Sequence, residues 1–188
     1  HYSPDEITIR QIAEAAKCTS TVIYRHFDNL DHLILVSSIR FLEDYIIDLG
    51  DIVESDLNEL AMLRSMWVSF ARECFKNLEV FESMFWGKYR NQMTDAIFQY
   101  YSLFPDQWRN FNGIFTSVFF SNDLLQRNLI MLQRTVTSGY VEIDDVNMLN
   151  SIQCSLFHGT LIEYRDVYRD PEKAKEGTDK YMAMYDLI

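Results

Sequence analysis

Glycine and proline are scarce in this sequence, which has six and three of them among its 188 residues. These two residue types interrupt helices and strands most strongly, so long segments remain available for uninterrupted secondary structure. Long hydrophobic runs are also lacking, because no uncharged apolar stretch approaches the roughly 18 residues of a membrane span. Residues 1–9 do not show the charged-then-apolar pattern of a secretion signal. The sequence therefore predicts a soluble, cytoplasmic protein without a membrane partner.

Cysteine and basic residues are the other two shortages. Cys18, Cys74 and Cys154 are odd in number and widely spaced, which argues against a disulfide framework and a compact zinc site. We therefore expect free thiols and no cofactor. Lysine and arginine number 17 against 28 aspartate and glutamate residues, for a net charge of −11. Such a body repels DNA, so any contact with nucleic acid depends on a small local surface.

Hydrophobic residues are plentiful, at 48% of the sequence, which suffices for a substantial core. They recur with the 3.6-residue period of a helix rather than in alternation, as Leu63, Trp67, Phe70 and Cys74 illustrate. We predict an all-α protein with helices at 9–16, 20–26, 30–49, 57–76, 79–86, 92–102, 106–120, 123–138, 144–168 and 172–186. Turn residues or proline predict breaks at Gly50-Asp51, Gly87, Pro105, Ser121-Asn122, Gly139 and Asp170-Pro171.

The N-terminal segment contains two short helical patterns joined by a polar turn. Thr8 stands three residues before Gln11, the spacing of a capping box, so a helix should begin directly after Thr8. Thr19 or Ser20 can cap a second helix, and Asn29 can cap a third, longer one. Two short helices with a tight turn between them form a helix-turn-helix, whose second helix enters the DNA major groove.

The second helix has two different faces. Ile23 and Phe27 share an apolar side, whereas Thr21, Tyr24 and Arg25 lie opposite. Phosphates accept hydrogen bonds from hydroxyl and guanidinium groups, and base edges need short side chains for close approach. This pattern favours a helix that reads DNA. The alternative is a helical hairpin that only packs, and helical spacing alone does not separate the two.

A run of residues from 7 to 34 also carries a family resemblance. It consists of Thr8-Ile9-Arg10-Gln11-Ile12-Ala13, then Ala16, Thr19, Ile23-Tyr24-Arg25-His26-Phe27, Asn29, Asp31 and Leu33. These residues resemble the N-terminal domain of TetR-family transcriptional regulators. The resemblance implies a helix-turn-helix DNA-binding domain over 1–47 and a larger helical domain over 48–188 that binds an inducer and dimerises. The residues then expected at or near DNA are Thr8, Thr19, Ser20, Thr21, Tyr24, Arg25 and His26, with Tyr24 on a phosphate.

Three positions depart from the pattern of that family. Lys17 stands where the turn usually has glycine, Val22 where a hydroxyl is common, and Leu30 where a basic residue is expected. The family's first helix is either absent or precedes His1. Residues 1–40 hold four basic and five acidic side chains, which gives few cations for binding phosphates. The alternative function is therefore a small-molecule-binding or interaction protein of the same fold with weak or lost DNA binding.

Aromatic residues concentrate between positions 63 and 120. A single aromatic residue on a helical face usually packs in a core, but here polar tips interleave with apolar bodies, as in a pocket for a mostly apolar ligand. No cationic cluster in this stretch suits a polyanion, so we expect a small apolar or aromatic inducer. The candidate ligand-binding residues are Trp67, Phe70, Phe85, Tyr89, Tyr101, Phe115, Phe119 and His158.

The predicted helix 144–168 carries two further patterns. Cys154 and His158 lie one helical turn apart, which fits a packed pair, a ligand contact or half a metal site. An enzyme built on Cys74 or on this pair lacks a nucleophile, a base and an orienting group together, so no enzyme is expected. A stripe of small side chains allows close approach of a partner helix, and the dimer interface is expected at Ser151, Ser155 and Gly159.

Together these features predict a ligand-responsive, homodimeric transcriptional regulator, most often a repressor in the family that it resembles. Its partners would be a double-stranded DNA operator, a small-molecule inducer and a second copy of the chain. A ligand among the helices of the larger domain would move the connecting helix 30–49 and change the spacing of the two recognition helices.

Overall fold

The computed structural model describes residues 7–107, 117–118, 120–121 and 123–188. In this part of the chain, helices and turns occur without any strand, which confirms the predicted all-α class. The α-helices are α1 (Ile9–Ala15), α2 (Ser20–Ile23), α3 (Leu30–Ser38), α4 (Glu43–Glu54), α5 (Glu59–Lys76), α6 (Leu78–Trp86), α7 (Met93–Leu103), α8 (Leu124–Thr137), α9 (Val146–Glu163) and α10 (Pro171–Tyr185). Short 3-10 helices cover Ile39–Leu42, Arg90–Gln92, Pro105–Gln107 and Ile143–Asp145. Among the described helices, none is both long and apolar enough to cross a membrane.

Most of the predicted helix limits agree with the structure, because capping residues mark them. α6 ends at Gly87, α8 ends before Gly139, and α10 begins after Asp170, whose carboxylate caps its first turn. The predicted helix 106–120 lies largely outside the described residues. The predicted helix 144–168 is too long, since α9 ends earlier and hydrogen-bonded turns follow it.

The predicted break at Gly50-Asp51 is wrong, because α4 continues through both residues. Glycine costs about 1 kcal/mol in a helix interior, but α4 buries Tyr45, Ile46 and Leu49, and it packs against α5. Burial of these three side chains outweighs the propensity cost. The helical segment that starts with α3 therefore continues through α4 and crosses the expected domain boundary between residues 47 and 48.

The hydrophobic residues form two cores of unequal size. The small core consists of Ile9, Ala13 and Ile23 from α1 and α2. The large core is built around α5, which packs against α4, α8 and α10. Phe27 contacts both cores, and α3 packs on α6 and α7. α1 and α2 thus form a small N-terminal unit that Phe27 and α3 attach to the larger body.

α1 and α2 are joined by a tight turn at Lys17. The Lys17 N–H donates to the Glu14 carbonyl at 3.0 Å, and the Cys18 N–H donates to the Ala13 carbonyl at 2.9 Å. This pair of bonds is the Schellman motif, which places one residue in the left-handed region that glycine favours. Lys17 occupies that region with φ of 53°, whereas Gly139 does so after α8 with φ of 77°. The departure at Lys17 therefore keeps the turn and introduces local backbone strain.

We expect Lys17→Gly to stabilise the protein by about 1 kcal/mol. A residue with a Cβ atom in the left-handed region costs roughly 1–2 kcal/mol, and glycine removes this cost. Part of the gain is lost because glycine gives the unfolded chain more conformational freedom. Urea unfolding followed by circular dichroism measures the change. Lys17→Ala removes the charge but keeps the Cβ atom, so it should give no gain. Equal stabilisation by both substitutions would assign the effect to charge instead of backbone strain.

Candidate functional site

The N-terminal unit has a helix-turn-helix arrangement, with α1 and α2 on either side of the tight turn. The predicted capping box is present. The Gln11 N–H donates to the Thr8 hydroxyl at 3.3 Å, and the Thr8 N–H donates to the Gln11 side chain at 2.8 Å. Thr19 is the N-cap of α2 in extended conformation, but its hydroxyl makes no capping hydrogen bond. The side-chain cap predicted from Thr19 or Ser20 is therefore wrong, and Thr19 is exposed at the surface.

α2 is shorter than predicted but presents two distinct faces. Its helical residues are Ser20–Ile23, and hydrogen-bonded turns continue to Phe27. Ile23 is buried, with 7% of its surface exposed, whereas Tyr24 is 56% exposed. Ser20 is half-buried, and the exposed members of the expected DNA-binding set are Thr8, Thr19, Thr21, Tyr24, Arg25 and His26. This surface combines short hydroxyl groups with a phenol, an imidazole and the permanently charged guanidinium of Arg25. These groups can form hydrogen bonds with phosphate oxygens and base edges.

Charges of both signs surround this face. Glu14, Asp28 and Asp31 are exposed on the N-terminal unit, as are Arg10 and Lys17. Non-specific affinity for DNA comes mainly from lysine and arginine residues that neutralise phosphates. Any binding by this unit would therefore depend on a small number of phosphate contacts.

A side-chain hydrogen bond ties the N-terminal unit to the body. Gln99 on α7 donates from Nε2 to the His26 carbonyl at 2.7 Å. Asn29 caps α3 as predicted, since its side chain accepts from the His32 N–H at 2.9 Å. The Asp28 N–H donates to His32 Nδ1 at 3.1 Å. The first of these bonds connects α7 to the end of the N-terminal unit, and the other two order the chain between α2 and α3.

A small cavity of about 30 Å³ lies among α4, α5 and α8. Its volume corresponds to about one or two water molecules, so a larger guest must displace the side chains around it. The lining is mainly apolar, and its described residues are Tyr45, Leu63, Met66, Trp67, Phe70, Val118, Leu124, Arg127, Asn128 and Met131.

Arg127 brings a buried positive charge to this cavity. Its side chain is 5% exposed, its Nε–H donates to the Ser121 carbonyl at 3.1 Å, and its guanidinium carbon lies 5.2 Å from the centre of the Phe85 ring. Burial lowers the pKa of Arg127 to about 10, and electrostatic interactions with Tyr45 and Asp123 oppose that shift. The guanidinium therefore stays protonated at neutral pH.

Asn128 is the centre of a buried amide network beside the cavity. Its Oδ1 accepts from the Trp67 Nε1–H at 2.9 Å, and its Nδ2 donates to Asn150 Oδ1 at 2.9 Å and to Gln153 Oε1 at 2.8 Å. Asn150 in turn donates to the Leu125 carbonyl at 3.1 Å. The network joins α5, α8 and α9, so it holds one wall of the cavity in place.

The structure separates the expected ligand-binding residues by position. Trp67 and Phe70 line the cavity, and Phe85 lies next to it, with its ring centre 5.2 Å from that of Phe70. Tyr89 and Tyr101 are half-buried against the large core and do not line the cavity. The expected positions that lie outside the described residues are Phe115 and Phe119.

Sequence reasoning missed Arg127 and Asn128 as lining residues. Both lie on the buried face of α8, one helical turn after Leu124 and one before Met131. Arginine is rarely buried in a core unless it is paired or functional. The position of Arg127 among the apolar residues of α8 was therefore the sequence signal that could have identified this helix as a wall of the cavity.

Cys154 and His158 face different surroundings. The Cys154 thiol lies 3.8 Å from Asn150 Oδ1, and burial raises its pKa to about 12. His158 stacks on Trp86 with ring centres 4.4 Å apart and 5° between the ring planes, and burial lowers its pKa. His158 does not line the cavity. In the described part of the chain, no cluster of three histidine, cysteine or carboxylate side chains is arranged to hold a metal ion.

α9 carries an exposed face of small and apolar side chains. Met148, Ile152 and Ile162 are 66%, 41% and 47% exposed. A Cβ atom built on Gly159 would meet no atom within 4 Å. We call this face the α9 stripe, formed by Met148, Ile152, Ser155, Gly159 and Ile162, with exposed Ser151 beside it. Its members alternate four and three positions apart, the 3.5-residue repeat of paired helices.

The chain is similar in fold to a crystal structure of the TetR family transcriptional regulator PfmR from Thermus thermophilus. The two chains share 16% sequence identity, the TM-score is 0.57, and the similarity covers 98% of this chain and 88% of that chain. No family model matches this sequence, and no curated protein matches it. At this level of identity the likeness shows the fold, so the chain has the all-α architecture of a TetR-family transcriptional regulator.

Proposed function

We propose that the protein is a homodimeric, DNA-binding transcriptional repressor that a small apolar or aromatic molecule releases from its operator. Residues 1–47 would bind DNA, and residues 48–188 would bind the ligand and form the dimer. The observation that carries the proposal is the exposed polar face of α2, held by a helix-turn-helix with its own small core. The fold shared with a transcriptional regulator supports it.

In this proposal α2 lies in the major groove of the operator. Ser20 and Thr21 are short enough to let the helix approach base edges, and Val22, which is 40% exposed, can touch a thymine methyl group. The Tyr24 hydroxyl and the Arg25 guanidinium contact phosphates, which fix the position of the helix along the duplex. Recognition of bases is thus assigned to α2, and recognition of phosphates to Tyr24 and Arg25 in the hydrogen-bonded turns that follow it.

The α9 stripe is the proposed dimer interface. Its apolar side chains are open in a single chain and would be buried against the same stripe of a second copy, as two-fold symmetry requires. Leu125 on the adjacent α8 is 47% exposed and extends the apolar surface. A dimer of this kind must place its two recognition helices about 34 Å apart, one turn of DNA.

The cavity is the proposed ligand site. Tyr45, which lies on α4, forms part of the cavity wall. A short 3-10 helix connects α4 to α3, which lies next to the helix-turn-helix. A guest that enlarges the cavity moves α4 relative to α5 and changes the spacing of the recognition helices. By linkage, the ligand weakens DNA binding only as far as it prefers the arrangement that does not bind DNA.

Three substitutions in α2 and in the turns directly after it, called the α2 variants, should have different effects on DNA binding. Tyr24→Phe should weaken binding to all sequences alike, by about 0.5–1.5 kcal/mol for one lost hydrogen bond. Thr21→Val should change which operators are preferred, because it alters a contact to base edges. Arg25→Ala should lower the slope of log affinity against log salt by about one unit. Binding isotherms at several salt concentrations, on specific and scrambled DNA, measure all three quantities.

Lys175→Ala is the matched control for the loss of a cation, because Lys175 lies on α10 and pairs with Asp179 at 2.6 Å. It should leave affinity, salt slope and sequence preference unchanged. If all three α2 variants also behave like the unmodified protein, α2 does not contact DNA.

A second candidate is a small-molecule-binding or interaction protein of the same fold that does not use DNA. The exposed acidic residues Glu14, Asp28 and Asp31 on the N-terminal unit favour it, since they oppose phosphate binding. Salt-dependent retention of the chain's own promoter DNA would decide for the regulator. Absence of any such retention at low salt would decide for this alternative.

A further inference from the structure

We propose that Gln99 is a positioning residue for DNA binding, because its hydrogen bond to the His26 carbonyl fixes the orientation of α2 and of the turns after it relative to the body. This inference rests on the proposed function, since it names a residue outside the N-terminal unit that sets the geometry of DNA recognition.

The hydrogen bond joins two parts of the chain that are 73 positions apart. Gln99 Nε2 lies 2.7 Å from the His26 carbonyl oxygen. His26 lies in the hydrogen-bonded turns after α2, and the last carbonyl groups of a helix need partners from outside that helix. A side-chain amide on α7 supplies such a partner.

The donor is held on a rigid support. α7 packs against α3, and it buries Ala96, Ile97 and Tyr100 in the large core. Gln99 itself is half-buried, so its side chain has fewer accessible conformations than an exposed one. The amide therefore extends from a part of the body whose own position is fixed by packing.

The accepting carbonyl is next to the residues assigned to phosphates. Tyr24 and Arg25 directly precede His26 in the same turns, where the Arg25 N–H donates to the Val22 carbonyl at 3.3 Å and the His26 N–H donates to the Ile23 carbonyl at 3.0 Å. A bond that fixes the His26 carbonyl therefore also orients the backbone that carries the phenol and the guanidinium.

Phe27 is a second point of attachment, of a different kind. Its side chain contacts both cores, and apolar contact has no preferred direction. A hydrogen bond weakens steeply when its donor and acceptor are misaligned. Phe27 thus holds the N-terminal unit against the body, and the Gln99 bond selects one orientation of it.

The orientation matters because a dimer must present two recognition helices to one duplex, about one DNA turn apart. A unit that samples several orientations binds more weakly, in proportion to the time it spends in the competent one. It also accepts half-sites at other distances. Loss of the Gln99 bond should therefore relax the spacing between half-sites and leave the base sequence of each half-site unchanged.

Selection of fragments from a random DNA pool by the full chain and by Gln99→Met tests this inference. Methionine keeps an unbranched side chain but has no donor. The unmodified protein should select half-sites at one spacing, and Gln99→Met should select the same half-site sequence at that spacing and at spacings one base pair shorter and longer. Its affinity for the best fragment should fall about twofold to tenfold per subunit, the equivalent of one hydrogen bond.

Two further variants separate the donor from other effects of the substitution. Gln99→Lys restores an N–H donor and should restore the single spacing, although its charge raises affinity for all DNA. Gln133→Met makes the same change as Gln99→Met on the exposed side of α8 and should keep the single spacing. Circular dichroism verifies that each variant folds.

Hydrogen exchange of the full chain without DNA provides a measurement that does not depend on the proposed function. Gln99→Met should speed the exchange of the amides at residues 20–27 and leave those of α5 unchanged. Unchanged exchange at residues 20–27 overturns the inference.

The spacing experiment distinguishes the two proposals. A single spacing for Gln99→Met, or the same broad spacing for Gln99→Met and Gln99→Lys, overturns the role of Gln99 and leaves the proposed function standing. Fragments without a common motif for the unmodified protein overturn the proposed function, and the role of Gln99 in DNA binding with it.

Discussion

Replacement of Gly159 by tryptophan should split the protein into monomers and abolish operator binding. Gly159 lies within the α9 stripe, and a Cβ atom there meets open space in the single chain, so the substitution should leave the monomer fold intact. In a two-fold dimer, both copies carry the indole into the helix contact. The roughly 1–3 kcal/mol cost of an overpacked site therefore counts twice, for a loss of about 2–6 kcal/mol of association free energy per dimer.

Sedimentation velocity at micromolar protein concentration measures this dissociation, and operator binding is measured on the same samples. Lys175→Trp is the control, because it places the same ring on the exposed side of α10. The control should remain dimeric. A Gly159→Trp protein that still sediments as a dimer would show that another surface forms the interface.

Asn128→Leu should destabilise the protein by about 3–5 kcal/mol. The substitution removes the acceptor of the Trp67 indole N–H and the donor to Asn150 and Gln153. Each buried polar group left without a partner costs about 1–3 kcal/mol, and leucine recovers part of that through its apolar surface. Urea unfolding monitored by circular dichroism and by tryptophan fluorescence gives the change in free energy.

Gln133→Leu likewise replaces a side-chain amide with leucine, but on the exposed side of α8, and it should alter stability by less than about 0.5 kcal/mol. A similar small effect for Asn128→Leu would mean that the amide network adds little to the stability of the fold. In that case the wall of the cavity would depend on apolar packing alone.

The N-terminal unit could be predicted from the sequence because its signals are local. The capping box at Thr8, the cap at Asn29 and the inward position of Ile23 each depend on residues a few positions apart. The capping hydrogen bond at α2 was not predictable in the same way, since a threonine at the N-cap position does not fix the direction of its hydroxyl. The turn at Lys17 was predictable in part. The sequence identified the unusual residue, but its left-handed backbone conformation, with φ of 53°, was visible only in the structure.

The cavity could be predicted only in part, because its walls come from helices that are distant in sequence. Trp67 and Phe70 were identified from the spacing on α5, but no local signal related them to Tyr45 or to Arg127. The interruption expected at Gly50 failed for a related reason. Packing of α4 against α5 decides whether a helix tolerates an interior glycine, and that packing is not visible in the local sequence.

The central claim is that α2 reads specific DNA sequences in a dimer. Selection of fragments from a random DNA pool by the full chain, followed by sequencing of the retained fragments, tests it most directly. The account predicts a motif of two half-sites with centres about one DNA turn, roughly 34 Å, apart, and a different motif for the Thr21→Val variant. Retained fragments that show no common motif, with the same random composition for both proteins, would contradict the claim.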